Sequence, residues 1–217
     1  MLINNKKYLD LLNSPQKKGV IHTEGSYLIL AGAGSGKTKV LTYRLLHLLI
    51  EKKAFPNQIL AVTFTNKAAL EMKSRVADLL QQPIEYMWLG TFHSLSAKIL
   101  RTHAKLIGLK SNFVILDVDD QLNLIKKICE RENIDTKEKT PKYYLSVIDN
   151  YKNKSITSNN LLIKNNKAVD KNILIIYKNY QQELTRLNSV DFGDLILHCI
   201  TIFKLHKEVL EKYQNQF

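Results

Sequence analysis

Cysteine is nearly absent from this 217-residue chain: Cys129 and Cys199 are the only two. Their separation offers no metal-ligand spacing, and a cytosolic chain would keep both reduced. Both are expected as small buried side chains. No apolar run reaches the roughly 20 residues that a membrane-spanning helix needs. The opening, MLINNKKYLDLLN, has no signal-peptide core before its polar breaks, so the cytoplasm is the expected compartment and no membrane partner is expected. Acidic residues are scarce beside basic ones: 20 Asp+Glu against 32 Lys+Arg leave a formal charge of +12. A stable domain needs no such excess, which points to a polyanionic partner. Arginine is sparse as well, with only Arg44, Arg75, Arg101, Arg131 and Arg186. Lysine, asparagine and isoleucine dominate, as AT-rich coding sequence also produces, and this tempers the charge argument.

What is present supports a real core. Hydrophobic residues make up 45% of the chain. The length admits one large domain or two small ones. Residues 8–12 read as a short helix or turn, and Pro15 fits the first turn of the next helix with Asn13 or Ser14 as its cap. Residues 27–31 are continuously apolar, as a strand buried on both faces should be. Helical spacing follows over 37–50, 66–80 and 92–103, with strands expected at 58–64, 86–89 and 113–116. This alternation predicts a parallel sheet covered on both faces. After Asp117 the texture becomes helical: 119–133, 143–151 and 170–187, with a Lys/Asn/Ser-rich stretch at 152–166. Helical patterns resume over 191–207 and 208–213.

The stretch LILAGAGSGKT, residues 28–38, carries the strongest chemistry. Strand, glycine-rich loop and helix start follow in the order of a phosphate-binding loop. Glycines let backbone N–H groups fold around oxygen anions, and Lys37 adds a point charge. The hydroxyl of Thr38 suits a magnesium ion. Ala31 stands where the general pattern has its first glycine, while Gly32, Gly34 and Gly36 remain. Triphosphate hydrolysis also needs an acid at the end of a neighbouring strand. Asp117, closing FVILD, has that position, but on the residues alone it is equally a helix-capping aspartate.

Further segments extend the pattern: LNSPQ, ILAVTFTNKAALEMKSRV, GTFHSLSAKIL, FVILDVDDQLNLIKK, DFGDLILHCI and EVLEKYQNQF. With the phosphate loop, and in this order, they resemble the N-terminal part of superfamily 1 DNA helicases of the UvrD/Rep/PcrA group, nearly end to end. The resemblance implies ATP and Mg2+ as cofactors. It makes Gln16 the adenine-reading residue, and its amide suits both donor and acceptor on that base. It assigns Ala33, Gly34, Ser35, Gly36, Lys37 and Thr38 to the triphosphate site, with Thr38 on the metal. Lys39 falls where the family has arginine, keeping the charge without the planar fork. Phe64, Thr65 and Asn66 match one single-strand DNA motif, and Thr91, Phe92, His93 and Ser94 a second; Lys67 either contacts phosphate or solvates its helix. From sequence alone Phe64 is as readily a core residue ending a strand. Trp88 reads as core. Gly193 stands where the family has aspartate and weakens its helix by about 1 kcal/mol relative to alanine.

The expected fold class is α/β: a partial RecA-like P-loop parallel sheet with helices on both faces, plus an inserted all-helical lobe. The expected domains are 1–117, a helical insert at 118–190, and a return to the first domain at 191–217. In the family FVILD leads into the insert, which touches duplex DNA, so Asp117 moves away from magnesium. The family's acidic metal-binding pair falls after the segment matching EVLEKYQNQF, beyond Phe217. The expectation is therefore an N-terminal piece of an ATP-dependent 3′-to-5′ helicase, without catalytic residues of its own and unable to unwind alone. The expected partners are single-stranded DNA, the single-strand/double-strand junction and a complementary C-terminal helicase fragment. Two other readings stand beside it: a self-contained P-loop NTPase using Asp117, and a DNA-binding module with a vestigial nucleotide site.

Overall fold

The computed structural model describes residues 7–163 and 170–217. The chain divides into two compact units, residues 1–95 with 213–217, and residues 96–212. The first unit opens on a 3-10 turn, Lys7–Leu11, and helix α1 (Ser14–Ile21). Asn13 and Gln16 form a reciprocal capping box at the α1 start, with Pro15 in the first turn. Helix α2 (Lys37–Ile50), strand β1 (Leu60–Val62), helix α3 (Asn66–Leu80) and strand β2 (Trp88–Gly90) follow. β1 and β2 run parallel, with Leu60 opposite Trp88 and Val62 opposite Gly90. α3 turns Met72, Val76 and Leu80 inward at helical spacing, into a core shared with Leu45 and Leu46 of α2. Each such fully buried side chain contributes roughly 1.5–3 kcal/mol.

Helix α4 (Phe92–His103) contains the division after Leu95. The second unit continues with β3 (Val114–Ile115), α5 (Val118–Arg131), α6 (Pro141–Asn153), α7 (Ser158–Ile163) and α8 (Lys171–Arg186). It ends with β4 (Ser189–Val190), α9 (Phe192–Leu205) and most of α10 (Lys207–Gln216). β3 and β4 form a second parallel pair, Val114 opposite Ser189 and Ile115 opposite Val190. Ile125, Ile128, Tyr144, Ile148, Ile176, Tyr177 and Tyr180 build this unit's core. Compactness groups β3 and β4 with the helices, so the units divide at 95/96 and 212/213. Sequence texture alone suggests 117/118 and 190/191.

A buried polar cluster ties α6 to the start of α9. The Lys152 ammonium is fully buried, 2.6 Å from Asp191 Oδ2 and 2.8 Å from Asp194 Oδ1. The Tyr180 hydroxyl donates to Asp191 Oδ2 at 3.0 Å, and burial beside that carboxylate pushes the phenol far up. Asp191 and Asp194 also form the capping box of α9. Burial, together with the negative charge of Asp191, raises Asp149 above the usual carboxylate range. A Cβ on Gly193 would stand 3.0 Å from Lys152 Cδ and 3.2 Å from its Cβ, so the glycine leaves room for the lysine.

The helices at 37–50, 66–80 and 92–103 match the sequence expectation. Residues 27–31 do not form the expected buried strand. No ladder hydrogen bond joins them to another segment among the described residues, and Leu28 and Leu30 are 79% and 85% exposed. An apolar run is compatible with strand burial, but only neighbouring strands create it. The other strands are shorter than expected, and the polar stretch 152–166 contains α7. Trp88 is half-buried, its ring edge against Tyr213 and Phe217. Cys129 and Cys199 are buried as expected, and burial pushes the Cys199 thiol up to about 11. No helix of the described residues is long and apolar enough to cross a membrane.

Candidate functional site

The phosphate loop enters α2 through two left-handed glycines, Gly34 at φ 74° and Gly36 at φ 86°. Gly36 is the N-cap of α2 and has a second constraint: a Cβ there would lie 2.9 Å from Gln16 Nε2. The Ser35 hydroxyl donates to the Gly32 carbonyl at 2.7 Å and tightens the turn between them. Below the loop, α2 presents its first N–H groups and the positive end of its dipole, an arrangement suited to anions. Lys37 and Thr38 are exposed at that end. The Lys37 ammonium donates to the carbonyls of Ala31 and Gly32 at 2.9 and 2.7 Å, so it already lies across the loop where anionic oxygens would be held.

Gln16 reaches the same loop from α1. Its Nε2 donates to the Ser35 carbonyl at 3.0 Å, while its Oε1 accepts from the Asn13 N–H at 3.2 Å. Gln16, Gly19, Lys37 and residues 27–31 line a cleft of about 450 Å³. Sequence reasoning missed the role of Asn13 in holding Gln16. Its signal was the N-x-x-Q spacing of a capping box at a helix start. Lys39 turns elsewhere: its ammonium donates to the Leu11 carbonyl at 2.6 Å and sits 5.7 Å from the centre of the Tyr43 ring.

The two expected DNA segments lie side by side. Parallel pairing of β1 with β2 puts both following loops at the same carboxyl edge, where open parallel sheets commonly bind ligands. The Thr63 N–H donates to the Gly90 carbonyl at 2.9 Å, and the Thr91 hydroxyl donates to Asn66 Oδ1 at 3.3 Å. Thr65 caps α3 by accepting from the Ala68 N–H, and Thr91 and Ser94 cap α4 reciprocally. With the caps holding the backbone, Phe64 and Phe92 are left outward, 98% and 67% exposed. Lys67 and His93 are exposed beside them. The exposure of Phe64 overturns the core reading of that residue. A capped pair of loops showing two aromatic rings and a lysine can stack bases and meet phosphates without reading sequence.

Asp117 is a helix cap. Its Oδ1 accepts from the Asp120 N–H at 2.9 Å, and it starts α5 in the second unit. Among the described residues no cluster of three or more His, Cys, Asp or Glu is arranged to hold a metal.

A family profile described as the UvrD/REP helicase N-terminal domain matches residues 12–217. The ATP-dependent DNA helicase PcrA of Staphylococcus epidermidis is 45% identical over 206 residues, covering 95% of this chain and 28% of that protein. The ATP-dependent DNA helicase PcrA of Staphylococcus aureus is 44% identical over 209 residues, covering 96% of this chain and 29% of that protein. The chain thus spans under a third of the length of these relatives. With the profile covering nearly the whole chain, it belongs to the UvrD/REP helicase N-terminal domain family.

Proposed function

We propose that this chain is the nucleotide- and DNA-binding portion of an ATP-dependent DNA helicase that moves 3′ to 5′ along single-stranded DNA. The observation that carries the reading is the joined pair of loops at the β1–β2 carboxyl edge, with Phe64 and Phe92 outward, in the same compact unit as the phosphate loop. The N–H groups of the loop from Ala33 to Gly36, with those opening α2, receive the triphosphate oxygens. Lys37 transfers its hydrogen bonds from the Ala31 and Gly32 carbonyls to phosphate. Thr38 offers its hydroxyl to Mg2+, which when bound screens the triphosphate charge. Gln16 reads the base edge with its amide while the Asn13 N–H restrains its oxygen. Phe64 and Phe92 stack on bases, and Lys67, Thr65, Asn66, Thr91 and His93 flank the backbone.

We infer that the chain by itself binds nucleotide without turning it over. Asp117, the candidate acid at a strand end, has its carboxylate on the Asp120 N–H. Translocation further requires two domains that close and reopen on the nucleotide. A complementary helicase fragment is the proposed protein partner. The apolar residues 27–31, which pair with no strand among the described residues, are the surface it would cover. The helical unit is assigned to the single-strand/double-strand junction.

The test uses the purified chain. Magnesium-dependent binding of a fluorescent ATP analogue is expected, lost about tenfold or more in Lys37→Ala. Binding to oligothymidylate should weaken steeply with salt. Steady-state hydrolysis stimulated by DNA and abolished by Lys37→Ala would overturn the claim of inactivity. Intact DNA binding with no nucleotide binding would favour a vestigial nucleotide site.

A further inference from the structure

The helical unit holds a cleft of its own, formed by the 3-10 turn Ala104–Ile107, the start of α7 and one side of α8 and α9. Its volume, about 560 Å³, is in the range of small-molecule sites. Ile107, Leu197 and Ile200 give it apolar walls. No acidic side chain lines it, and Lys204 at its edge makes no ion pair among the described residues. Ser158, Asn159 and Asn160 add side-chain donors and acceptors to the lining, and their side chains make no hydrogen bond to another described residue.

One polar group of the cleft is positioned by the buried ion cluster. Gln181 lines the cleft and donates from Nε2 to Asp194 Oδ1 at 3.3 Å. Its Oε1 is the buried side-chain oxygen without a hydrogen-bond partner among the described residues. Asp194 is itself held by Lys152, and the Gln181 amide has one anchor on it and one unused acceptor. Turning the soft terminal torsion to bring Oε1 to the cleft gives up the Nε2 bond to Asp194, which keeps its Lys152 partner.

We propose that this cleft binds a nucleoside 5′-monophosphate, with the phosphate on Lys204 and the α7 side chains and the base between the apolar walls. A base fits beside Gln181 because its edge carries the N–H donor that Oε1 lacks. The absence of carboxylates lets one lysine serve a dianionic phosphate without competition. Two sources present this chemistry: a free mononucleotide, and the terminal nucleotide of a 5′-phosphorylated DNA strand. The site is independent of the phosphate loop and of the helicase reading.

The experiment is an amide-resolved NMR titration of the full chain with thymidine 5′-monophosphate, which lacks the adenine edge and the outer phosphates suited to the loop at 31–39. Saturable shifts are expected at residues 155–160, 177–181 and 197–205, with a Kd of about 1 mM or tighter. Thymidine and inorganic phosphate should each bind more weakly than the nucleotide. Lys204→Glu, on the exposed surface, should weaken binding roughly tenfold or more with an unchanged melting temperature. Gln181→Met should weaken it several-fold. Preferential binding of 5′-phosphorylated over 5′-hydroxyl oligothymidylate at these residues identifies a strand end as the source, and binding of the mononucleotide alone identifies the free form. No saturable shift by about 10 mM, shifts centred on residues 31–39, or undiminished binding by Lys204→Glu would overturn the proposal.

Discussion

Phe64 gives the sharpest test of the DNA edge, because its side chain contributes almost nothing to the fold. It is 98% exposed, so Phe64→Ala removes no buried area and leaves the Thr65 cap of α3 in place. Stability should change by no more than about 0.5 kcal/mol, the usual effect of a surface substitution. Stacking a base on an aromatic ring is worth about 1–3 kcal/mol per base. That corresponds to a loss of roughly 5- to 150-fold in affinity for single-stranded DNA. Fluorescence anisotropy with labelled oligothymidylate at several salt concentrations measures it. Phe64→Ala should shift the binding curve and keep the slope against log salt, since a ring neutralises no phosphate. Lys67→Ala should do the opposite, lowering the slope by about 0.7 with a smaller loss at fixed salt. Equal affinity of Phe64→Ala and the parent chain would refute the reasoning. So would a loss accompanied by a fall in melting temperature, which would make Phe64 structural.

Other perturbations address the rest of the molecule. Asp117→Asn keeps a good helix cap while removing the charge, so both stability and magnesium-dependent nucleotide binding should hold; loss of that binding would restore the self-contained NTPase reading. Lys152→Met leaves Asp191 and Asp194 buried without a counter-ion, and removing one partner of such a pair costs about 3–5 kcal/mol. A urea titration of the second unit at neutral pH should show that loss, and an unchanged midpoint would refute the cluster's role. Gly193→Ala gains helix propensity of about 1 kcal/mol but crowds a Lys152 anchored at its far end, so net destabilisation of about 1 kcal/mol is expected from the same titration. Asp149 has a folded pKa above its unfolded one, so its ionisation weakens the fold at pH above that folded value and the penalty vanishes as pH falls to the unfolded value. Asp149→Asn should therefore raise the melting temperature at pH 8, and the gain should disappear as pH falls to the ordinary aspartate value.

Much of this chain was legible in its residues. Helices over 37–50, 66–80 and 92–103 appear where their apolar spacing placed them, because 3.6-residue periodicity is a local property. The phosphate loop was readable for the same reason: Gly34 and Gly36 adopt left-handed angles that other residues resist. Asp117 was ambiguous because one carboxylate after a strand suits a metal or a cap, and only its distance to the Asp120 N–H separates the two. The Lys152 cluster left no sequence signal, since its members come from α6, α8 and α9.

The sequence by itself determined the order of motifs, the family to which they belong and the capacity of each segment for helix or phosphate contact, all set by side chains within a few residues of one another. Only the tertiary structure decided that Phe64 faces outward, that the loops after β1 and β2 share one edge, and that residues 27–31 lie exposed. These outcomes depend on which strand pairs with which. Parallel strands pair across long stretches of chain, and no local spacing encodes the partner.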